Sequence, residues 1–162
     1  MKFSLATITA FVGAISAAKL PNAFTLVADG GYTVLTDGQN AYIGANTTDH
    51  EILILRGGSP NGLVTYTAQN SVPTAFQNLY VIENDVLPIG LTAPHSGAVP
   101  AGGNITAFGV NDQGLFTYDG KDWFAVEGYG DNEVKEIYWY GSHSSTYRAL
   151  NLYVKELKNY SD

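Results

Sequence analysis

Cysteine is absent from all 162 residues. That excludes disulfide staples, thiol nucleophiles and cysteine metal sites, and it leaves packing to hold the chain together. Positive charge is scarce as well: 8 Lys and Arg stand against 15 Asp and Glu, a formal charge of −7. Phosphate contacts need clustered basic side chains, so nucleic acid and anionic membrane surfaces are poor partners for this chain. The three histidines, His50, His95 and His143, lie far apart and lack metal-ligand spacing. His95-Ser96 is not framed by a Gly-x-Ser-x-Gly elbow, so serine chemistry has no support there. No metal or cofactor is expected, and no catalytic residue stands out. Beyond the first 18 residues there is no long apolar run, so no later segment is expected to span a bilayer.

The apolar run that is present lies at the start. Lys2 precedes an apolar stretch through Ile8, Phe11, Val12, Ala14 and Ile15, which ends in the small residues Ser16-Ala17-Ala18. A charged start, a short apolar middle and a small-residue end are the marks of a secretory signal peptide. Residues 1–18 are therefore expected to be removed, leaving 19–162 as one secreted domain. That is long enough for a core of its own. Three sequons begin at Asn46, Asn104 and Asn159 and are glycan acceptor candidates in a secreted chain.

Strand signals dominate the rest. Runs such as Phe24–Val27, Tyr32–Leu35, Glu51–Leu55, Leu63–Thr67, Leu79–Ile82, Leu115–Tyr118, Trp123–Val126 and Ile137–Tyr140 are rich in β-branched and aromatic residues, with Gly, Asp, Asn and Pro between them. Asp37-Gly38 and Asp119-Gly120 sit where type I′ hairpin turns are expected. Leu150, Leu152 and Val154 alternate, which favours a last strand over a helix. The Pro- and Gly-containing stretch 88–103 reads as an irregular surface connection. The expected fold is all-β and single-domain: a β-sandwich or closed β architecture of about ten to twelve short strands, with a β-trefoil as the alternative. The path from Ala23-Phe24 to Asp37-Gly38 is echoed from Ala107-Phe108 to Asp119-Gly120, which fits either a duplication or two similar hairpins.

Leu55-Arg56-Gly57-Gly58 followed by Gly62–Thr67 resembles a strand–glycine–strand segment of fungal secreted cell wall proteins of the PhiA type. Phe108 to Ala125, with Gly114-Leu115 and Gly120-Lys121-Asp122, resembles a later hairpin of the same proteins. Pro94 to Gly102 is similar to a connection in the related IgE-binding proteins of filamentous fungi. The resemblance implies a secreted, wall-associated, non-enzymatic and antigenic fungal surface protein, with wall polysaccharide or a wall protein as partner. Those relatives carry cysteine just after the hairpin, where this chain has Val126.

Two further readings come from the residues. Tyr118, Trp123, Phe124, Tyr129, Tyr138, Trp139, Tyr140 and Tyr147 crowd one third of the chain. On an extended strand Ile137 and Trp139 face one way, Tyr138 and Tyr140 the other. The rings are either core or, at Tyr118, Trp123, Tyr129, Tyr138 and Tyr140, a platform for a sugar, as in a lectin-like carbohydrate-binding module. Glu127, Asp131, Glu133 and Glu136 lie close in sequence; a glycoside hydrolase needs two carboxylates flanking the sugar, and a solvated acidic loop gives the same pattern. For the leader, sequencing of protein from culture fluid is expected to begin at Lys19; an intact Met1 there would refute the cleavage.

Overall fold

The computed structural model describes residues 19–128, 132–140 and 145–160. The leader, Tyr129, Asp131 and His143 lie outside the described residues. Seventeen strands of two to six residues and one short 3-10 turn, Pro73–Ala75, make up the described structure. Every strand pairing is antiparallel. The protein is all-β and sandwich-like, and among the described residues no sheet closes into a barrel. A trefoil needs such a barrel, so that alternative falls away.

The largest sheet runs Gly103–Asn104, Gln77–Ile82, Thr65–Tyr66, Leu55–Arg56, Ala23–Ala28, Leu152–Glu156. A second runs Lys135–Glu136, Ala41–Ile43, Leu35–Thr36, Glu51–Ile52. The third places Phe124–Glu127 between Tyr138–Trp139 and Tyr147–Ala149, and Phe108–Val110 pairs with Phe116–Tyr118 as a separate hairpin.

The strands outnumber the expected ten to twelve because single apolar runs change sheets midway. Tyr32–Thr33 pairs with Ala23–Ala28, whereas Leu35–Thr36 pairs with the second sheet. Val34 joins the two: its amide donates to Leu26, and its carbonyl accepts from Leu53. Glu51–Ile52 and Leu55–Arg56 divide in the same way. So does the run through Ile137: Glu136 pairs with Tyr42, and Tyr138 with Ala125. Strands that switch sheets make the corners of a packed β structure and carry inward side chains continuously round them.

Those inward side chains form one core, including Phe24, Leu26, Leu53, Leu55, Val64, Leu79 and Leu152. Its centre is aromatic. Phe116 stacks on Phe108 at 5.4 Å and on Phe124 at 5.5 Å, and meets Phe24 at 6.0 Å. The edge of Trp139 meets Phe124 at 5.2 Å and Tyr118 at 4.9 Å. Each such contact adds about 0.5–1.5 kcal/mol to the burial of the rings.

Three local expectations are revised. The start of the 88–103 connection is not on the surface: Ile89, Gly90, Leu91 and Thr92 are buried, and Leu91 pairs with Leu79. Apolar Ile89 and Leu91 fill the core there. Asp37-Gly38 is not a two-residue turn. Asp37 Oδ1 accepts from the amides of Gln39 and Asn40, so the loop spans 37–40 and needs positive φ only at Gly38. The two look-alike stretches also pair differently. Ala23–Ala28 lies inside the largest sheet, whereas Phe108–Val110 makes a simple hairpin.

Asp119-Gly120 does form the expected type I′ turn, with φ of 50° and 75° and two backbone bonds between Tyr118 and Lys121. A Cβ at Gly120 would meet nothing within 4 Å, so the only penalty there is conformational. Gly120→Val should therefore lower stability by about 1–3 kcal/mol, while Gly120→Asn, which tolerates the left-handed region, loses less. Urea unfolding checks this, and equal stability of the three proteins would contradict it.

Candidate functional site

The run 136–140 alternates as the pleat requires: Ile137 and Trp139 are buried, while Glu136, Tyr138 and Tyr140 are half-buried. The outward row meets a partner from across the sheet. Ala125 pairs with Tyr138 on one side and Ala149 on the other, and Glu127 pairs with Tyr147. Small alanines at 125 and 149 leave room above the sheet for larger neighbours. The Tyr147 ring lies 4.8 Å from Tyr138 and 6.5 Å from Tyr140, and Ala125 is fully buried. Three tyrosines thus form one outward aromatic face.

This face runs into a cleft of about 260 Å³ lined by Tyr42, Glu127, Lys135, Glu136 and Tyr138. The Tyr42 hydroxyl donates to Asp37 Oδ2 at 2.9 Å and has Glu136 Oε1 at 3.4 Å. One hydroxyl has one proton to give, so the second carboxylate keeps free acceptor capacity. Burial, the bond to Asp37 and the charges of Asp37 and Glu136 push the Tyr42 phenol well above its ordinary range. Burial, then Glu136, Tyr147 and Glu127, push Tyr138 up as well. Burial pulls Asp37 upward, but bonds from the Asn40 and Gln39 amides and from Tyr42 outweigh it, and its pKa lies below the usual value. At neutral pH the face offers flat rings, protonated phenols and carboxylate acceptors. That set suits a neutral polyhydroxylated ligand and repels an anion. The cleft is smaller than the usual ligand pocket of about 300–1,000 Å³, so it can take the edge of a ligand rather than enclose one.

Of the five rings expected as a platform, Tyr129 lies outside the described residues, and the four described ones do not share one face. Tyr118 is a core residue, 2 % exposed, wedged against Trp139 and Phe108. Its position on the paired Phe116–Tyr118 strand directs the ring inward, so it cannot face a ligand. Trp123 is 44 % exposed but belongs to another surface: it stacks on Trp139 at 6.3 Å with the Lys121 ammonium 4.6 Å from its ring. Tyr138 and Tyr140 share a face with Tyr147, the ring that strand alternation alone did not join to them. Glu127 and Glu136 line one cleft, whereas Glu133 is exposed at the neighbouring bend. His50 sits edge-on to Tyr42 at 5.0 Å, with Nδ1 buried and without a partner. Among the described residues no three His, Asp or Glu side chains converge as metal ligands, and no helix is long and apolar enough to cross a membrane.

The sequons differ in setting. Asn46 and Asn159 are exposed, Asn104 is half-buried, and the last sequon ends at Ser161, outside the described residues. A groove of about 550 Å³ was not anticipated; Ile52, Ile54, Leu63, Phe76 and Tyr160 line it, with Arg56 over the Tyr160 ring. Its signal was the run Ile52–Leu55, apolar at every position. Compared with known proteins, the chain matches no family model, no curated protein and no solved structure.

The Tyr42–Asp37 contact gives a pH dependence with a definite sign. Asp37, lowered on folding, contributes stability above its unfolded value of 3.8 and loses it as the pH falls through the lower folded value. Tyr42, raised on folding, contributes below its unfolded value of 10.0 and loses this as the pH rises through the higher folded value. Tyr42→Phe should reduce both the acid and the alkaline loss seen in urea unfolding across pH. Identical profiles for variant and wild type would contradict the assignment.

Proposed function

We propose that this chain is a secreted, cell-wall-associated, non-enzymatic interaction protein of the fungal type, and that it contacts wall polysaccharide through Tyr138, Tyr140 and Tyr147. The leader pattern of residues 1–18, the sequons and the resemblance of Leu55–Gly58 and Phe108–Ala125 to wall proteins support the location. The observation that carries the contact is the outward tyrosine face, set beside carboxylates that can accept from sugar hydroxyls. Aromatic rings on an otherwise polar sheet face are a common means of holding a sugar ring.

Glu127 and Glu136 on one cleft favour a second reading, a glycoside hydrolase. The same experiment separates the two. Purified wall polysaccharide is incubated with the protein, and both the retained protein and the released sugar are measured. Tyr140→Ala and Tyr147→Ala are expected to weaken retention about two- to twelve-fold with little change in melting temperature. Trp139→Ala is expected to unfold the domain, since truncating a buried Trp costs about 3–5 kcal/mol. Full retention by both tyrosine variants would remove the contact face, and sugar release lost in Glu136→Gln would establish the hydrolase instead.

A further inference from the structure

We infer that Asn46 is an N-glycan acceptor of this domain and that the sequon at Asn104 serves the fold instead. The inference rests on the secretory reading above, because the modification takes place in a glycosylating compartment. Each asparagine accepts the same kind of local bond, from the amide two residues on. The Thr48 amide donates to Asn46 Oδ1 at 3.1 Å, and the Thr106 amide donates to Asn104 Oδ1 at 2.9 Å. They part at Nδ2, the atom that carries a glycan.

Transfer forms a bond from Nδ2 to the anomeric carbon of a diphosphate-linked oligosaccharide donor. The diphosphate leaves with the electron pair of the broken C–O bond, and Nδ2 gives up one proton. Asn46 loses nothing by this. It is exposed within an exposed stretch, 46–49, and its Nδ2 makes no hydrogen bond among the described residues. At Asn104 both protons are engaged: Nδ2 donates to the Tyr118 hydroxyl at 2.8 Å and reaches Glu83 Oε1 at 3.5 Å. Oδ1 takes a second bond, from the Thr106 hydroxyl at 2.9 Å. The Tyr118 hydroxyl in turn donates to Glu83. The network closes over a buried ring, where Asn104 pairs with Val81 at the end of the largest sheet. A sugar on Asn104 would break one of its bonds and place bulk at a half-buried sheet end. The exported domain therefore carries Asn104 unmodified.

The test expresses the full chain in a yeast secretory host, once with its own N-terminus and once behind a host secretion leader. Enzymatic deglycosylation in heavy-oxygen water followed by peptide mass spectrometry reads each site. Glycan on most of Asn46 and little of Asn104 is the expected result. Asn46→Gln should abolish the modification of residue 46 and leave the melting temperature nearly unchanged. Asn104→Gln should lower the melting temperature by about 3–8 °C, because Tyr118 and Glu83 lose their partner. An exported chain empty at Asn46, equal occupancy at both sites, or an unchanged melting temperature in Asn104→Gln would overturn the assignment. Glycan at Asn46 only in the leader-fused chain, with nothing exported from the native N-terminus, would remove the secretory reading and support the acceptor assignment.

Discussion

The interaction on which the rest depends is the chain of aromatic contacts running from Phe24 through Phe116 and Phe124 to Trp139 and Tyr118. A domain without cysteine has no covalent tie to limit its unfolded state, so burial must supply the stability. Large rings do this with few residues, because each buries a large apolar area and still packs with defined geometry. They also join pieces that share no backbone pairing. Phe24 comes from the largest sheet, Phe116 from the separate hairpin, and Phe124 and Trp139 from the three-stranded sheet. The rings join three of the four sheets into one core.

Around that core, polar ties set where the loops stand. Gln77 is buried and donates through Nε2 to the carbonyls of Gly38 and Thr92, both at 2.7 Å. Asn40 donates to the Ile89 carbonyl at 3.0 Å. These bonds hold the 37–40 loop against the buried stretch Ile89–Thr92. Asp37 is thereby kept beside the Tyr42 hydroxyl, and Tyr42 beside Glu136. The candidate cleft is thus assembled from the second and third sheets. Ile137 joins them, its amide bonded to Ala41 and its carbonyl to the Ile89 amide. A buried side-chain amide with both N–H donors paired, as at Gln77, is strongly directional, and it fixes a loop more sharply than apolar contact can.

The chemistry of the outward face follows from this placement. Rings above Ala125, a cleft with two glutamates and phenols held protonated by burial and by nearby negative charge form one acceptor-rich surface. The same logic divides the sequons. An asparagine whose amide closes a network over a buried tyrosine is part of the fold, and one on an exposed loop is free for chemistry.

By itself the sequence determined the all-β character, because β-branched and aromatic runs broken by Gly, Asp and Pro leave no room for a helical period. It also determined the split of Ile137 and Trp139 from Tyr138 and Tyr140, because alternation is a local property of an extended chain. The type I′ turn at Asp119-Gly120 was legible for the same reason: its geometry is set within four residues. The Asp37 loop was not, since its Asx bonds compete with the shorter turn and Gln77, forty residues on, holds it in place. Nor did alternation say which rings would be core. Tyr118 and Trp123 look alike in sequence, but one lies on a strand covered by Trp139 and the other stands exposed just before the central strand of the three-stranded sheet. That Tyr147 completes the outward face, that Glu127 and Glu136 line one cleft and that the Asn104 amide caps Tyr118 are long-range facts. Each depends on which strands pair and where a run changes sheets, and tertiary packing alone decides that.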